Sequence, residues 1–133
     1  MSNSSPERNK AIVLEAFETL FNKRDYAAAE RFWSPNYIQH SAHIPAGRDG
    51  LFGLVKGLPS MAKYEPGVIL AERNYVIAHG RYSGLGFPAN WIITDIVRME
   101  DGVFVEHWDV IQDEATKETS KSGHPMFGDS FPK

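Results

Sequence analysis

Two carboxylic acids and an imidazole are the groups in this sequence best placed to move protons: Asp95 on one apolar segment, His107 and Asp109 on the next. The segments are joined by Glu100, Asp101 and Gly102, a hairpin signal that permits two registers. A two-residue Asp101-Gly102 loop is the stronger statistical choice and sets Asp95 opposite Trp108. A three-residue loop with Gly102 left-handed sets Met99 opposite Val103, Val97 opposite Val105, Asp95 opposite His107 and Ile93 opposite Asp109. We adopt the second, because one face then reads Trp91, Ile93, Asp95, Val97 and Met99 with Val103, Val105, His107, Asp109 and Ile111. The other face holds Ile92, Thr94, Ile96, Arg98, Phe104, Glu106, Trp108 and Val110, where Arg98 and Glu106 pair diagonally.

In that register Asp95 and His107 have Cβ atoms about 5 Å apart, with Asp109 roughly 7 Å away on the neighbouring rung. Burial raises a carboxylic acid's pKa and a neighbouring imidazolium lowers it. Two aspartates around one histidine can therefore be held in different protonation states, as general acid and base chemistry requires. For Asp95 and His107 a purely structural role stands equally open, as a buried hydrogen-bonded pair that fixes strand register. Asp109 has no basic partner besides His107, which favours a functional role for it.

A second cluster runs through Tyr37, Gln39, His40, Ser41 and His43. Its two histidines can line a pocket mouth and bond a carbonyl substrate, or can be ordinary surface or capping residues. His79, on a segment with Tyr75, Ile77, Arg81 and Ser83, is singled out by position alone. His40, His43, His107 and Asp109 together form a less favoured divalent-metal set.

The elements that must position these groups fall in two blocks. Ser5 caps a helix expected over 6–21, with Pro6 in its first turn and Val13, Ala16, Phe17, Leu20 and Phe21 as its apolar stripe; Asn22 ends it. Asp25 caps a second helix over 26–33, which Pro35 stops. A third, over 48–58, is weakened by Gly50, Gly53 and Gly57, whose shared face suggests close approach to another backbone. Period-two segments follow at 68–72, 75–83, 91–99 and 103–111, then a mostly irregular arm over 113–133. Helices followed by a meander predict an α+β fold, one curved antiparallel sheet against three helices.

At 133 residues one domain is expected, with a disordered start over 1–5. A composition of 42% hydrophobic residues suits a packed globule, and the lack of cysteine excludes a disulfide scaffold, a thiol nucleophile and a thiolate zinc site. A net charge of -3 without a basic run argues against nucleic acid as a partner. The polar start and short apolar runs give neither a signal peptide nor a spanning helix, so no membrane association and a cytoplasmic location are expected.

The run from Tyr37 to His40 and on through His43, Pro45, Gly47, Arg48 and Gly50, with the run from Asp95 through Asp101-Gly102 to Glu106, His107, Trp108, Asp109 and Gln112, resembles the SnoaL-like polyketide cyclase family. The resemblance reaches from the first helix through Gln112. It implies a cone-shaped α+β barrel of the nuclear-transport-factor-two-like superfamily, enclosing one deep pocket and usually homodimeric. It also implies ring closure by intramolecular aldol condensation, with an aspartate as acid and base and no metal or cofactor. By similarity Asp109 takes that role and Asp95 and His107 match motif positions, while His40 and His43 match the loop.

The enzyme expected is a cofactor-independent aldol-type cyclase or isomerase acting on a small hydrophobic carbonyl compound. Asp109 takes a proton beside the carbonyl, Asp95 and His107 orient it, and His40 or His43 donates to the enolate oxygen. Tyr37, His79, Ile93 and Val97 complete the substrate wall. The alternative is a non-catalytic binding domain with the same pocket. The apolar outward residues Ile92, Ile96, Phe104, Trp108 and Val110 suggest a homodimer through the sheet, or cover by the C-terminal arm.

Overall fold

The computed structural model describes residues 5–132; the disordered start expected over 1–5 lies, except for Ser5, outside them. The chain opens with α1 (Pro6–Phe17), capped as expected by the Ser5 hydroxyl, which accepts from the Arg8 N–H at 3.1 Å. The predicted continuation to Phe21 is helical but widened into a π turn, Glu18–Asn22, where Thr19 Oγ1 donates to the Glu15 carbonyl at 2.7 Å. Asn22 ends it and does further work: its side chain accepts from the Tyr64 N–H at 2.8 Å and donates to the Tyr64 carbonyl at 3.0 Å.

Asp25 caps α2 (Tyr26–Ala29), which tightens into a 3-10 turn, Glu30–Phe32. The chain then becomes a strand that the sequence pattern concealed, β1 (Trp33–Gln39), with Pro35 inside it. After α3 (Gly47–Lys56) come β2 (Lys63–Glu72), β3 (Tyr75–Ser83), β4 (Trp91–Glu100) and β5 (Val103–Asp113). Of the α3 glycines, Gly50 alone meets a neighbouring backbone closely, since a Cβ there would collide with Pro45; Gly53 faces open space.

The five strands form one sheet in the order β1-β5-β4-β3-β2. It is mixed, contrary to the all-antiparallel expectation, because β1 lies parallel to β5 with Gln39 beside His107. The curved sheet does not close, and the helices fill its concave side. Phe17, Trp33, Tyr64 and Phe104 meet there, with Trp33 and Phe104 at 4.8 Å between ring centroids.

The terminal hairpin corrects the adopted register. Asp101 and Gly102 both have positive φ, 52° and 81°, so the turn is the two-residue one whose twist matches the strands. A bulge then intervenes: Met99 pairs with Phe104 but Arg98 with Glu106, which leaves Val105 as the extra residue. Beyond it Val97 opposes His107 and Asp95 opposes Asp109, so the direct and diagonal neighbours of Asp95 exchange places relative to the expectation. Arg98 and Glu106 pair directly, Arg98 Nε donating to Glu106 at 2.9 Å. Phe104, expected on the outward face, is wholly buried. Phe104 and His107 are three apart and cannot share one face of a regular strand; the bulge lets both turn inward.

The C-terminal arm beyond β5 has no helix or strand among the described residues. It is pinned by buried Glu114, which accepts from Arg81 Nε at 2.9 Å and from Asn90 at 3.0 Å, and by Phe127, whose ring lies 4.9 Å beneath the Arg81 guanidinium. No helix among the described residues is long and apolar enough to cross a membrane.

The bulge makes a specific stability prediction. Phe104→Ala should cost about 3–5 kcal/mol in chemical denaturation, as for a core aromatic. A loss under about 0.5 kcal/mol, the range for exposed positions, would return Phe104 to the outward face and overturn the bulged register.

Candidate functional site

Beneath the sheet lies an apolar cavity of about 90 Å³, walled by Phe17, Trp33, Leu51, Trp91, Ile93 and Ile111 among others. Asp95, His107 and Asp109 enter it from β4 and β5, and their ligand-capable atoms all lie within 4.8 Å of one another. Asp95 and His107 are buried, and Asp109 is half-buried.

A chain of hydrogen bonds fixes where the protons sit. The Ser41 backbone N–H, which can only donate, reaches Gln39 Oε1 at 3.0 Å and so sets which end of the amide is oxygen. His107 Nδ1 lies 2.6 Å from that same oxygen and must therefore carry a proton. On its other side His107 Nε2 lies 2.7 Å from Asp95 Oδ1. Two bare lone pairs would repel at that distance, so a proton joins them. The second Asp95 oxygen accepts from the Tyr82 hydroxyl at 2.7 Å. Burial, reinforced by the nearby Asp95 charge, pushes the Tyr82 phenol up, and it stays a donor.

Asp109 stands apart from that closed circuit. Burial raises its carboxyl above the ordinary value, opposed by a hydrogen bond from the Ser41 hydroxyl and by His107, with the Asp95 charge adding to the rise. The Ser41 oxygen in turn accepts from the His43 N–H at 3.2 Å. Tyr37 completes the polar end. Its oxygen receives hydrogen bonds from Gln39 Nε2, at 3.3 Å, and from Trp33, which leaves its own O–H to be given away. Burial, followed by the Asp95 charge, lifts the Tyr37 phenol well above its ordinary range.

Of the residues singled out in the sequence, Asp95, His107, Asp109, Tyr37, His43, Ile93 and Val97 line the cavity. The His43 ring meets Trp91 edge-on at 5.3 Å. His40 does not enter. Because Gln39 is the β1 residue turned toward His107, its neighbour His40 points outward, stacks on Trp108 at 4.8 Å and contacts Glu106 at 2.6 Å. His79 is also outside: Ala78 is the β3 residue opposite Asp95, so His79 takes the other face, against Phe127.

The proposed metal set therefore does not assemble, since His40 is on the far side of the sheet. The trio that does come together, Asp95, His107 and Asp109, offers three ligand atoms, but a cation there must displace the proton joining Asp95 to His107.

Tyr82 was missing from the predicted site, and Gln39 and Ser41 were named only as members of the loop cluster, without the bonds they make to His107 and Asp109. Tyr82 had a signal: Val76, Ala78, Gly80 and Tyr82 form one alternate set of β3 residues without a charge, and Tyr75, His79, Arg81 and Ser83, with Ile77 as the apolar exception, form the other. For Gln39 and Ser41 the cluster was legible in the sequence but not the partners, which follow from the pairing of β1 with β5.

Comparison with curated proteins by sequence finds no match. Among solved structures, AclR of Streptomyces galilaeus, a proposed hydroxylase, is 25% identical, with a TM-score of 0.67 over 82% of this chain and 81% of its own. A proposed ketosteroid isomerase from Kribbella flavida is 13% identical, with a TM-score of 0.74 over 96% and 97% of the two chains. A proposed polyketide cyclase from Acidithiobacillus ferrooxidans is 18% identical, with a TM-score of 0.67 over 84% and 92%. The latter two likenesses speak for the fold alone. The family model of the SnoaL-like domain matches residues 13–107, from the first buried apolar residue of α1 to His107, and this chain belongs to that family.

Proposed function

We propose that the protein performs acid and base chemistry at a carbon next to a carbonyl, of the aldol-cyclising or isomerising kind, with Asp109 as the base. The similar structures carry names of several activities, so the fold does not choose among them. What supports this reading is the separation of the two acids: Asp95 is closed into a proton-sharing circuit with His107 and Tyr82, whereas Asp109 faces the cavity with a raised pKa and a hydrogen bond from Ser41. A carboxylate made more basic by burial, at the polar end of an apolar pocket, suits removal of a weakly acidic C–H proton.

In the proposed step the Asp109 carboxylate takes the α proton, the C–H electron pair becomes the enolate double bond, and the carbonyl π pair moves to oxygen. The Tyr37 O–H donates to that oxygen. Of the two histidine donors expected from the sequence, His40 lies across the sheet while His43 lines the cavity; we assign the donation to Tyr37, which has an O–H to spare. Asp109 then returns the proton, to the same carbon, to another carbon of the enolate, or to the oxygen formed when that enolate attacks a second carbonyl.

The second proposal concerns assembly. Leu70, Ile77 and Val110 are 62%, 42% and 66% exposed and share the outward face with Ile96 and Trp108. The C-terminal arm covers the neighbouring His79 and Arg81 instead, so a second copy of this chain is the fitting cover.

Asp109→Asn should lower α-proton exchange of a bound ketone, followed by NMR in D2O, by about 100-fold or more. Tyr37→Phe should lower it by about 100-fold through the lost donor. The wild-type rate should rise with pH through a value above the ordinary carboxylate range. Stability runs oppositely: a raised pKa means the fold holds the Asp109 proton more tightly than the unfolded chain, so this contribution is present at low pH and lost as pH rises. Asp109→Asn should thus raise Tm at neutral pH and lose that advantage in acid; an unchanged exchange rate contradicts the role of Asp109. For the assembly, sedimentation equilibrium should give a dimer for the wild type and a monomer for Leu70→Lys with Val110→Lys, and a monomeric wild type contradicts the proposal.

A further inference from the structure

The cavity also constrains what it can take, an inference that rests on the proposed chemistry and goes on to name its substrate class. Among the described residues no lysine or arginine lines it; the ionisable groups in its wall are Asp95, His107, Asp109, His43, Tyr37 and Tyr82. An anionic ligand would leave its hydration to stand against the Asp109 carboxylate in an apolar surround, and burying an unpaired charge is among the most costly arrangements available. If such a ligand forced a proton onto Asp109 to relieve the repulsion, the base would be lost. Negative charge on the substrate and base function at Asp109 therefore exclude each other in this pocket.

Polar contacts are confined to one end. Tyr82, Asp95, His107, Gln39 and Tyr37 form one hydrogen-bonded series, and His43, Ser41 and Asp109 form another beside it. The rest of the wall includes Phe17, Leu51, Leu54 and Ile111, with Trp91 against the His43 ring, which offers a ligand's far end apolar contact. A molecule with a single oxygen at one end matches this; one with a second polar group at the other end leaves that group unbonded. Size sets the third limit. The cavity measures about 90 Å³, below the roughly 150 Å³ of an apolar cavity that accepts benzene. One ring can enter with slight adjustment at the rim, where Phe87 is half-exposed against Trp91. Two fused rings require the wall to open.

We infer that the pocket takes an uncharged ketone of single-ring size, its oxygen toward Tyr37 and its α carbon toward Asp109. In the reaction the C–H bond breaks to Asp109, the enolate carbon is re-protonated from the same carboxyl, and no oxidant or co-reactant is consumed.

The test is a three-ketone comparison with the full chain in D2O: cyclohexanone, the bicyclic 2-decalone and the anionic 4-oxocyclohexanecarboxylate. Two readings are taken for each, α-deuterium incorporation by NMR and the shift in Tm on adding the ketone. The expected result is incorporation into cyclohexanone at least about 10-fold faster than into either of the others, with a Tm rise for cyclohexanone alone. Comparable incorporation into, or stabilisation by, the bicycle or the anion overturns the size or the charge limit and leaves the base role of Asp109 standing. A Tm rise with cyclohexanone but no incorporation keeps the ligand class and overturns the proposed reaction. Neither binding nor incorporation for any of the three overturns both.

Discussion

Asp95 and His107 approach to 2.7 Å inside an apolar wall, and at that distance a proton must lie between them. The contact organises everything around it. Because Gln39 Oε1 accepts a hydrogen bond from the Nδ1–H, the imidazole is left with its Nε2 side to share with Asp95, and because Tyr82 donates to the other carboxyl oxygen, Asp95 is satisfied on both sides. The pair is thus buried without an exposed charge of its own, which is the condition under which two ionisable groups can be tolerated in such a place. Asp109, directly across the ladder from Asp95, is the acid left over. Burial holds back its ionisation more than Ser41 and His107 favour it, which is the ground on which we propose it as the base.

Two backbone devices bring these groups together. The left-handed Asp101-Gly102 turn aligns β4 and β5, and the bulge at Val105 shifts the ladder by one residue so that His107 and Asp109 turn inward while Phe104 still enters the core. The parallel pairing of β1 with β5 then sets Gln39 next to His107 and carries Ser41 to Asp109. Neither device touches a substrate, yet each determines which side chains can.

Much of this was legible in the sequence. Caps at Ser5 and Asp25, the helical stripe of α1 and the alternation of β3 to β5 are local signals, and local signals place elements. The trio Asp95, His107 and Asp109 was legible for a related reason: residues of equal parity on paired strands share a face whatever the even shift between them. That is why the adopted register named the right side chains while misplacing their partners and turning Phe104 outward. What stayed hidden was non-local. β1 contains Pro35 and Asn36, both poor strand formers, and exists because β5 offers it an edge; without it His40 looked as eligible as His43. His79 failed similarly, since only the pairing of Ala78 with Asp95 says which face of β3 is inward. The π turn after α1 left no compositional trace at all, although it positions Phe21 on the cavity wall.

The central claim is the location of protons on His107, and nitrogen-15 NMR of the imidazole at neutral pH reads it directly. With the His107 signals assigned by their loss in His107→Gln, the account predicts a protonated Nδ1, held by Gln39, and an Nε2 in a strong hydrogen bond to Asp95. An unprotonated Nδ1 beside an ordinary Nε2–H would contradict it, because Gln39 would then hold no proton and the separation of roles between Asp95 and Asp109 would lose its basis.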